Sequence, residues 1–150
     1  MRWSSQQSIF LTKLFIFLFG AGYLAVVLTC PLLMDVFVRF SFFAAGKNKW
    51  LFSGTVYLCA IPVGILLWNL WRLIFDIGLE QIFTTENIRR LRTISWMCIL
   101  TALICTFSMT YYVFWGIIAA CLLFMGLLIR VIKNTFQQAR ELKEEVDFTI

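Results

Sequence analysis

Arg72, Asp76 and Glu80 recur at intervals of four near the polar end of a long apolar run. On a continuing helix that spacing lines three ionisable side chains along one face, where they can pair or, in a transporter, relay a proton. An interfacial ion pair that ends a membrane span is the plainer use of the same residues. It carries more weight here, because no acidic residue falls near the middle of any apolar run and proton-coupled transport would need one there. Asn69, the strongly polar side chain well inside the same run, is expected to hydrogen-bond to another helix.

Other chemistry is excluded by what the chain lacks. There is no histidine, so neither a Ser-His hydrolase nor the commonest type of metal ligand is available. Cys30, Cys59, Cys98, Cys105 and Cys121 all lie in apolar runs, and none forms a CxxC pair. An odd set of buried thiols reads as small packing residues rather than a disulfide framework. No HExxH, phosphate-cradling glycine loop or carboxylate pair occurs. The chain is therefore expected not to be an enzyme and to hold no cofactor or metal.

Two polar segments remain. In the first, Thr84 and Thr85 can cap a short helix, Glu86–Asn87–Ile88–Arg89–Arg90–Leu91–Arg92. Ile88 and Leu91 share one face of it and the arginines fill the other. The second is the terminal stretch from Lys133, which has no Gly or Pro and sets Val131, Thr135, Ala139, Leu142 and Val146 at spacings of three and four. That period predicts a helix with one mildly apolar face. Its acids Glu141, Glu144, Glu145 and Asp147 could face Arg89, Arg90 and Arg92, or, together with Lys143, offer a docking surface to a partner; the two uses are compatible.

The elements that position these segments follow from composition. Of 150 residues, 61% are hydrophobic and only 14% charged, against roughly 45–50% apolar in soluble domains. Such a chain cannot cover itself with polar surface, so lipid must be its solvent. The reading is a single all-α domain, an integral membrane four-helix bundle with a cytoplasmic helical extension of the last span. Spans are expected over about 9–34, 51–75, 94–109 and 113–131, with a loop at 76–93 and a tail at 132–150. The first is too long for a signal-peptide core, and Cys30–Pro31–Leu32 is no cleavage site. Val36–Phe37–Val38–Arg39–Phe40 is expected to lie on the membrane surface and Gly46–Lys47–Asn48–Lys49 to form a turn. Pro62 and Gly64 suggest a kink in the second span. Gly20, Gly22 and Gly116 suggest close helix approach, and the short Thr110–Tyr111–Tyr112 connection forces an antiparallel hairpin.

Charge sets the orientation. Arg2, Lys13, Arg72, Arg89, Arg90, Arg92, Arg130, Lys133, Arg140 and Lys143 fall on one side, and Arg39, Lys47 and Lys49 on the other. The bias for cytoplasmic Lys and Arg places both termini and the middle loop in the cytoplasm of a multi-pass cell-membrane protein. Trp50, Tyr111, Tyr112 and Trp115 would then gather at the outer surface, and Trp3, Trp68, Trp71 and Trp96 toward the inner one. The net charge of +5 is thus a membrane signal, and no direct nucleic-acid contact is expected.

The string Phe83–Thr84–Thr85–Glu86–Asn87–Ile88–Arg89–Arg90–Leu91–Arg92–Thr93–Ile94 and the ending Glu141–Leu142–Lys143–Glu144–Glu145–Val146–Asp147–Phe148–Thr149–Ile150 together resemble DUF2975, a bacterial family of four-helix membrane proteins labelled a domain of unknown function. The family ending usually reads Glu-Glu-Asn-Asp-Leu-Thr-Ile; here Val146 stands for the Asn and Phe148 for the Leu. Members are often encoded beside a small helix-turn-helix regulator of the Cro/CI type, so the resemblance implies a regulatory partner rather than a reaction. The leading expectation is a membrane anchor or sensor for such a cytoplasmic regulator. Its contacts would be Glu86, Asn87, Arg89, Arg90 and Arg92 in the loop, with Glu141, Lys143, Glu144, Glu145 and Asp147 in the tail. The alternatives are a small transporter or efflux accessory working as a homo-oligomer, and a membrane immunity or stress-protection protein.

Overall fold

A computed structural model describes residues 5–40, 49–79 and 84–148. Four helices follow one another: α1 (Ser5–Phe40), α2 (Lys49–Gly78), α3 (Thr85–Ser108) and α4 (Phe114–Phe148). Among the described residues there is no strand. Each helix carries a stretch long and apolar enough to cross a membrane, within Ile9–Leu33, Trp50–Gly78, Thr85–Ser108 and Phe114–Val146.

The helices pack in chain order, α1 on α2, α2 on α3 and α3 on α4, and among the described residues no other pair brings its backbones together. Pairing at both ends makes each neighbour antiparallel. The Tyr23 hydroxyl of α1 donates to the Ala60 carbonyl at 2.7 Å, and Lys13 lies 5.3 Å from the centre of the Phe75 ring. Thr55 and Ser108 join hydroxyls at 2.9 Å at one end of α2 and α3, while Asp76 meets Arg90 at the other. The Ser95 hydroxyl donates to the Gly126 carbonyl at 2.8 Å between α3 and α4. The four helices therefore stand in an open row, with α2 and α3 in its interior and α1 and α4 at its edges.

Sequence period explains why α3 takes that place. Its buried residues Ile88, Leu91, Ile94, Cys98, Ala102 and Cys105 recur at three and four, a stripe that follows the helix and faces a partner. Leu73 of α2 joins Leu91, Ile94 and Cys98 in one cluster, and Ile129 and Phe136 of α4 pack against it from the other side. Polar groups along this helix are small and satisfied close by. Thr101 donates to Met97 O and Ser108 to Ile104 O, at 2.8 and 3.0 Å, the four-back bond that lets a hydroxyl sit in hydrocarbon.

The outward faces are apolar throughout. Phe10, Leu28, Trp50 and Phe107 are 70–80% exposed, and side chains of that size left open along every helix require lipid around them. The chain is a multi-pass membrane protein by this structure as by its composition.

Several expectations change in detail. Val36–Phe40 does not leave the first helix to lie on the surface; α1 continues through it to Phe40. The Gly46–Asn48 part of the expected turn lies outside the described residues, and Lys49 already begins α2. Asn69 donates to Ile65 O of its own helix at 2.8 Å rather than across to a neighbour. Trp115, expected in an outer aromatic belt, holds its indole N–H buried and without an acceptor. An added Cβ at Gly20 or Gly22 would meet nothing within 4 Å, and Gly20 lines an open groove between α1 and α2 rather than a close contact. Gly116 is closely packed as expected, with Met109 Sδ 3.0 Å from an added Cβ, and a further close approach falls at Gly126, where an added Cβ would stand 3.2 Å from both Cys98 Cβ and Ile99 Cγ1.

Candidate functional site

The end of the molecule where α2 stops and α3 starts gathers most of the charge. α3 begins as its sequence dictates. Thr84 caps it in an extended conformation, φ −93° and ψ 152°, and its side chain accepts from the Asn87 N–H at 3.3 Å. Glu86 sits in the first turn, where the helix dipole favours an acid. The expected short helix and the third span are one continuous element.

Arg90 is the hub of this end. Its guanidinium pairs with the Asp76 carboxylate of α2, reaches Asn87 Oδ1 at 3.4 Å and lies 3.6 Å from Glu86 Oε1 one turn back. The side chains of Arg90 and Asp76 are only 14% and 21% exposed. A planar fork with several N–H donors is suited to such divergent acceptors, and an ammonium is not. The Arg72–Asp76–Glu80 ladder does not form: Arg72 lies over the Trp68 ring at 5.4 Å, Asp76 turns to α3, and Glu80 lies outside the described residues.

The terminal part of α4 comes alongside. Phe136 packs half-buried against the Leu73, Leu91 and Ile94 cluster, and the Arg140 guanidinium donates to the Thr85 hydroxyl. Arg140 also pairs with Glu144 at 2.7 Å, and Gln137 donates to Glu141 at 3.2 Å. So the tail meets the start of α3, but through Phe136 and Arg140. Among the described residues no ion pair joins a tail acid to Arg89, Arg90 or Arg92. The reason is rotational. The face with Val131, Leu142 and Val146, about 60% exposed at each, points away from the protein, while Ile129, Lys133, Phe136 and Arg140 form the face toward α3.

The expected contact residues thus divide. Glu86, Arg89, Arg92, Glu141, Lys143, Glu144 and Glu145 are exposed. Asn87 is completely buried, so it belongs to the interior, and Arg90 is held in its ion pair; neither presents a free surface. The side chain of Asp147 lies outside the described residues. Residues that sequence reasoning missed are Arg140 and Phe136, which fix the tail, and Gly126, which lets α4 approach α3. Their signal was the seven-residue recurrence of Ala119, Gly126, Lys133 and Arg140, hidden by the more apolar face beside it.

Among the described residues, no three His, Cys, Asp or Glu side chains stand together as a metal would need. A family model described as "Protein of unknown function (DUF2975)" matches residues 8–150. No curated protein and no solved structure matches the chain.

Proposed function

The chain belongs to the DUF2975 family, and on that premise we propose that it is a bacterial cell-membrane protein that docks a cytoplasmic regulator of the Cro/CI helix-turn-helix type on the projecting end of α4. The observation that carries this reading is the exposed face of that end. Leu142 and Val146, one turn apart, are 63% and 60% exposed on a helix that continues to Phe148. From Ile132 to Phe148 it extends about 24 Å at the α-helical rise. An apolar pair on such a helix is what helix-in-groove recognition uses. The stretch Glu141–Asp147 sets four acids against Lys143 alone, so a partner with a basic rim fits it, as a DNA-binding protein would carry. Holding the regulator there would lower its free concentration and its occupancy of DNA by mass action.

The reading requires the Arg-rich end of the bundle in the cytoplasm, as the distribution of Lys and Arg supports. In a cysteine-free background, Lys47→Cys is expected to react with an impermeant thiol reagent from outside intact cells, and Arg90→Cys and Glu144→Cys only after lysis. The opposite labelling would reverse the orientation and remove the model of a cytoplasmic partner.

The docking test is co-expression of the chain with the neighbouring regulator, full length or ending at Arg140. That truncation keeps Phe136 and Arg140, so the core contacts of the tail persist. Full-length protein should move the regulator to the membrane fraction and change transcription of its targets; the truncated form should leave it soluble. A regulator that stays soluble with both, or membrane-bound with both, would sink the proposal.

A further inference from the structure

We propose that the groove between α3 and α4 binds one anionic phospholipid, with its phosphate held in a basic cleft at the Arg-rich end. The cleft, about 330 Å³, is lined by Arg92, Ser95, Trp96, Arg130 and Lys133. Among the described residues, none of its three cations is paired with an acid. Three positive charges brought together without a counter-charge repel one another, and an anion between them relieves that. Arg130 lies 5.2 Å over the Trp96 ring, which fixes one wall. The Ser95 hydroxyl, buried in the cleft, donates to Gly126 O and ties the two helices together at its floor.

The ligand class follows from what lies next to the cleft. On the same side of the α3–α4 pair, a second groove of about 260 Å³ is lined by apolar and small residues, among them Ile99, Leu103, Gly116, Ala120 and Leu123. Arg92, Trp96, Ile99 and Leu103 follow one another at spacings of four, three and four along α3, and Gly116, Ala120, Leu123 and Arg130 at spacings of four, three and seven along the facing side of α4. From Ser95 to Leu103 the path is about 12 Å at the helical rise. A charged head site followed, about one helical turn on from Trp96 to Ile99, by an apolar groove matches a phosphodiester with an acyl chain. Free phosphate would use only the first half. Basic pockets between membrane helices take anionic headgroups for this reason. The exposed Trp96 indole sits at the boundary between the two halves, where such a ring is most stable. The inference does not depend on the docked regulator or on which end is cytoplasmic.

The test is native mass spectrometry of the full chain released from nanodiscs of phosphatidylglycerol and phosphatidylcholine. The wild type should retain one phosphatidylglycerol and no phosphatidylcholine. The triple variant Arg92→Gln, Arg130→Gln, Lys133→Gln should weaken that retention by roughly a hundredfold, taking the usual contribution of an interfacial Lys or Arg. An Arg72→Gln, Arg89→Gln variant, altered at exposed cations outside the cleft, should retain lipid like the wild type. Ala120→Phe should fill the channel and also lower retention. All variants should keep wild-type helicity by circular dichroism, since Arg92, Arg130 and Ala120 are exposed and Lys133 is only half-buried. Equal lipid loss in the Arg72/Arg89 variant would reduce the effect to general surface charge. Displacement of the lipid by millimolar inorganic phosphate would make it a free-phosphate site. Unchanged retention in the triple variant would show that the cleft holds no lipid. Each of these outcomes overturns the proposal.

Discussion

Gly126→Leu is expected to force α3 and α4 apart and to destabilise the protein by about 3 kcal/mol, a value at the upper end for overpacking in a filled interior. The space is closed by atoms that cannot swing aside. A Cβ at position 126 would meet Cys98 Cβ and Ile99 Cγ1 at 3.2 Å and the Ser95 carbonyl oxygen at 3.3 Å. A leucine side chain also separates the Ser95 hydroxyl from the Gly126 carbonyl, now 2.8 Å apart, which removes about 0.6 kcal/mol more in a membrane interior. Gly126→Ala should cost less, about 1 kcal/mol, because shifts of a few tenths of an ångström accommodate one methyl. Unfolding in mixed micelles of increasing SDS content, followed by circular dichroism, measures both. If leucine unfolds at the wild-type midpoint, the helices do not meet at this residue.

Arg90→Ala should destabilise by about 2–3 kcal/mol. Breaking a buried ion pair from one side costs roughly 3–5 kcal/mol because the remaining charge is stranded, and the partial exposure of Asp76, 21%, brings the figure below that range. Asp76→Ala is expected to cost less, since Arg90 keeps Glu86 and Asn87 as acceptors. The double variant should be less damaged than the sum of the two, because no charge is then left without its partner. Arg90→Lys should not rescue, as one ammonium cannot reach acceptors on two helices in the geometry of a guanidinium fork. The same SDS series reads all four proteins. Additive losses in the double variant would show that the pair contributes nothing as a pair.

These two positions also show how far the sequence could be read. Four membrane helices, the continuity of Glu86–Arg92 with the third span and the Thr84 cap follow from local signals: apolar length, a threonine before an acidic first turn, and the absence of glycine or proline. The match over residues 8–150 bears out the resemblance carried by the two polar strings. What local signals do not encode is rotation. The apolar residues of a membrane helix serve lipid as well as protein, so the Val131–Leu142–Val146 face, the more apolar one, is turned outward. The face that packs carries Gly126, Lys133 and Arg140, chosen for small size and for reach. Gly20 and Gly22 mislead because a small residue permits close approach without imposing it: an added Cβ at either would meet nothing within 4 Å, and Gly20 borders an open groove between α1 and α2. Asp76 was legible as half of an ion pair, but its partner stands on the next helix, fourteen residues on, beyond any helical periodicity.

The unbroken course of α4 has a mechanical meaning. Past Gly126 it holds no glycine and no proline, so the stretch from there to Phe148 has none of the usual sites at which a helix kinks. Like a shaft without a coupling, it would carry a rotation of its Gly126 end along to its Phe148 end. Since each residue subtends about 100° around the axis, a slip of one residue against α3 would swing Leu142 and Val146 through more than a quarter turn, changing the direction in which both face while the shaft itself stays folded.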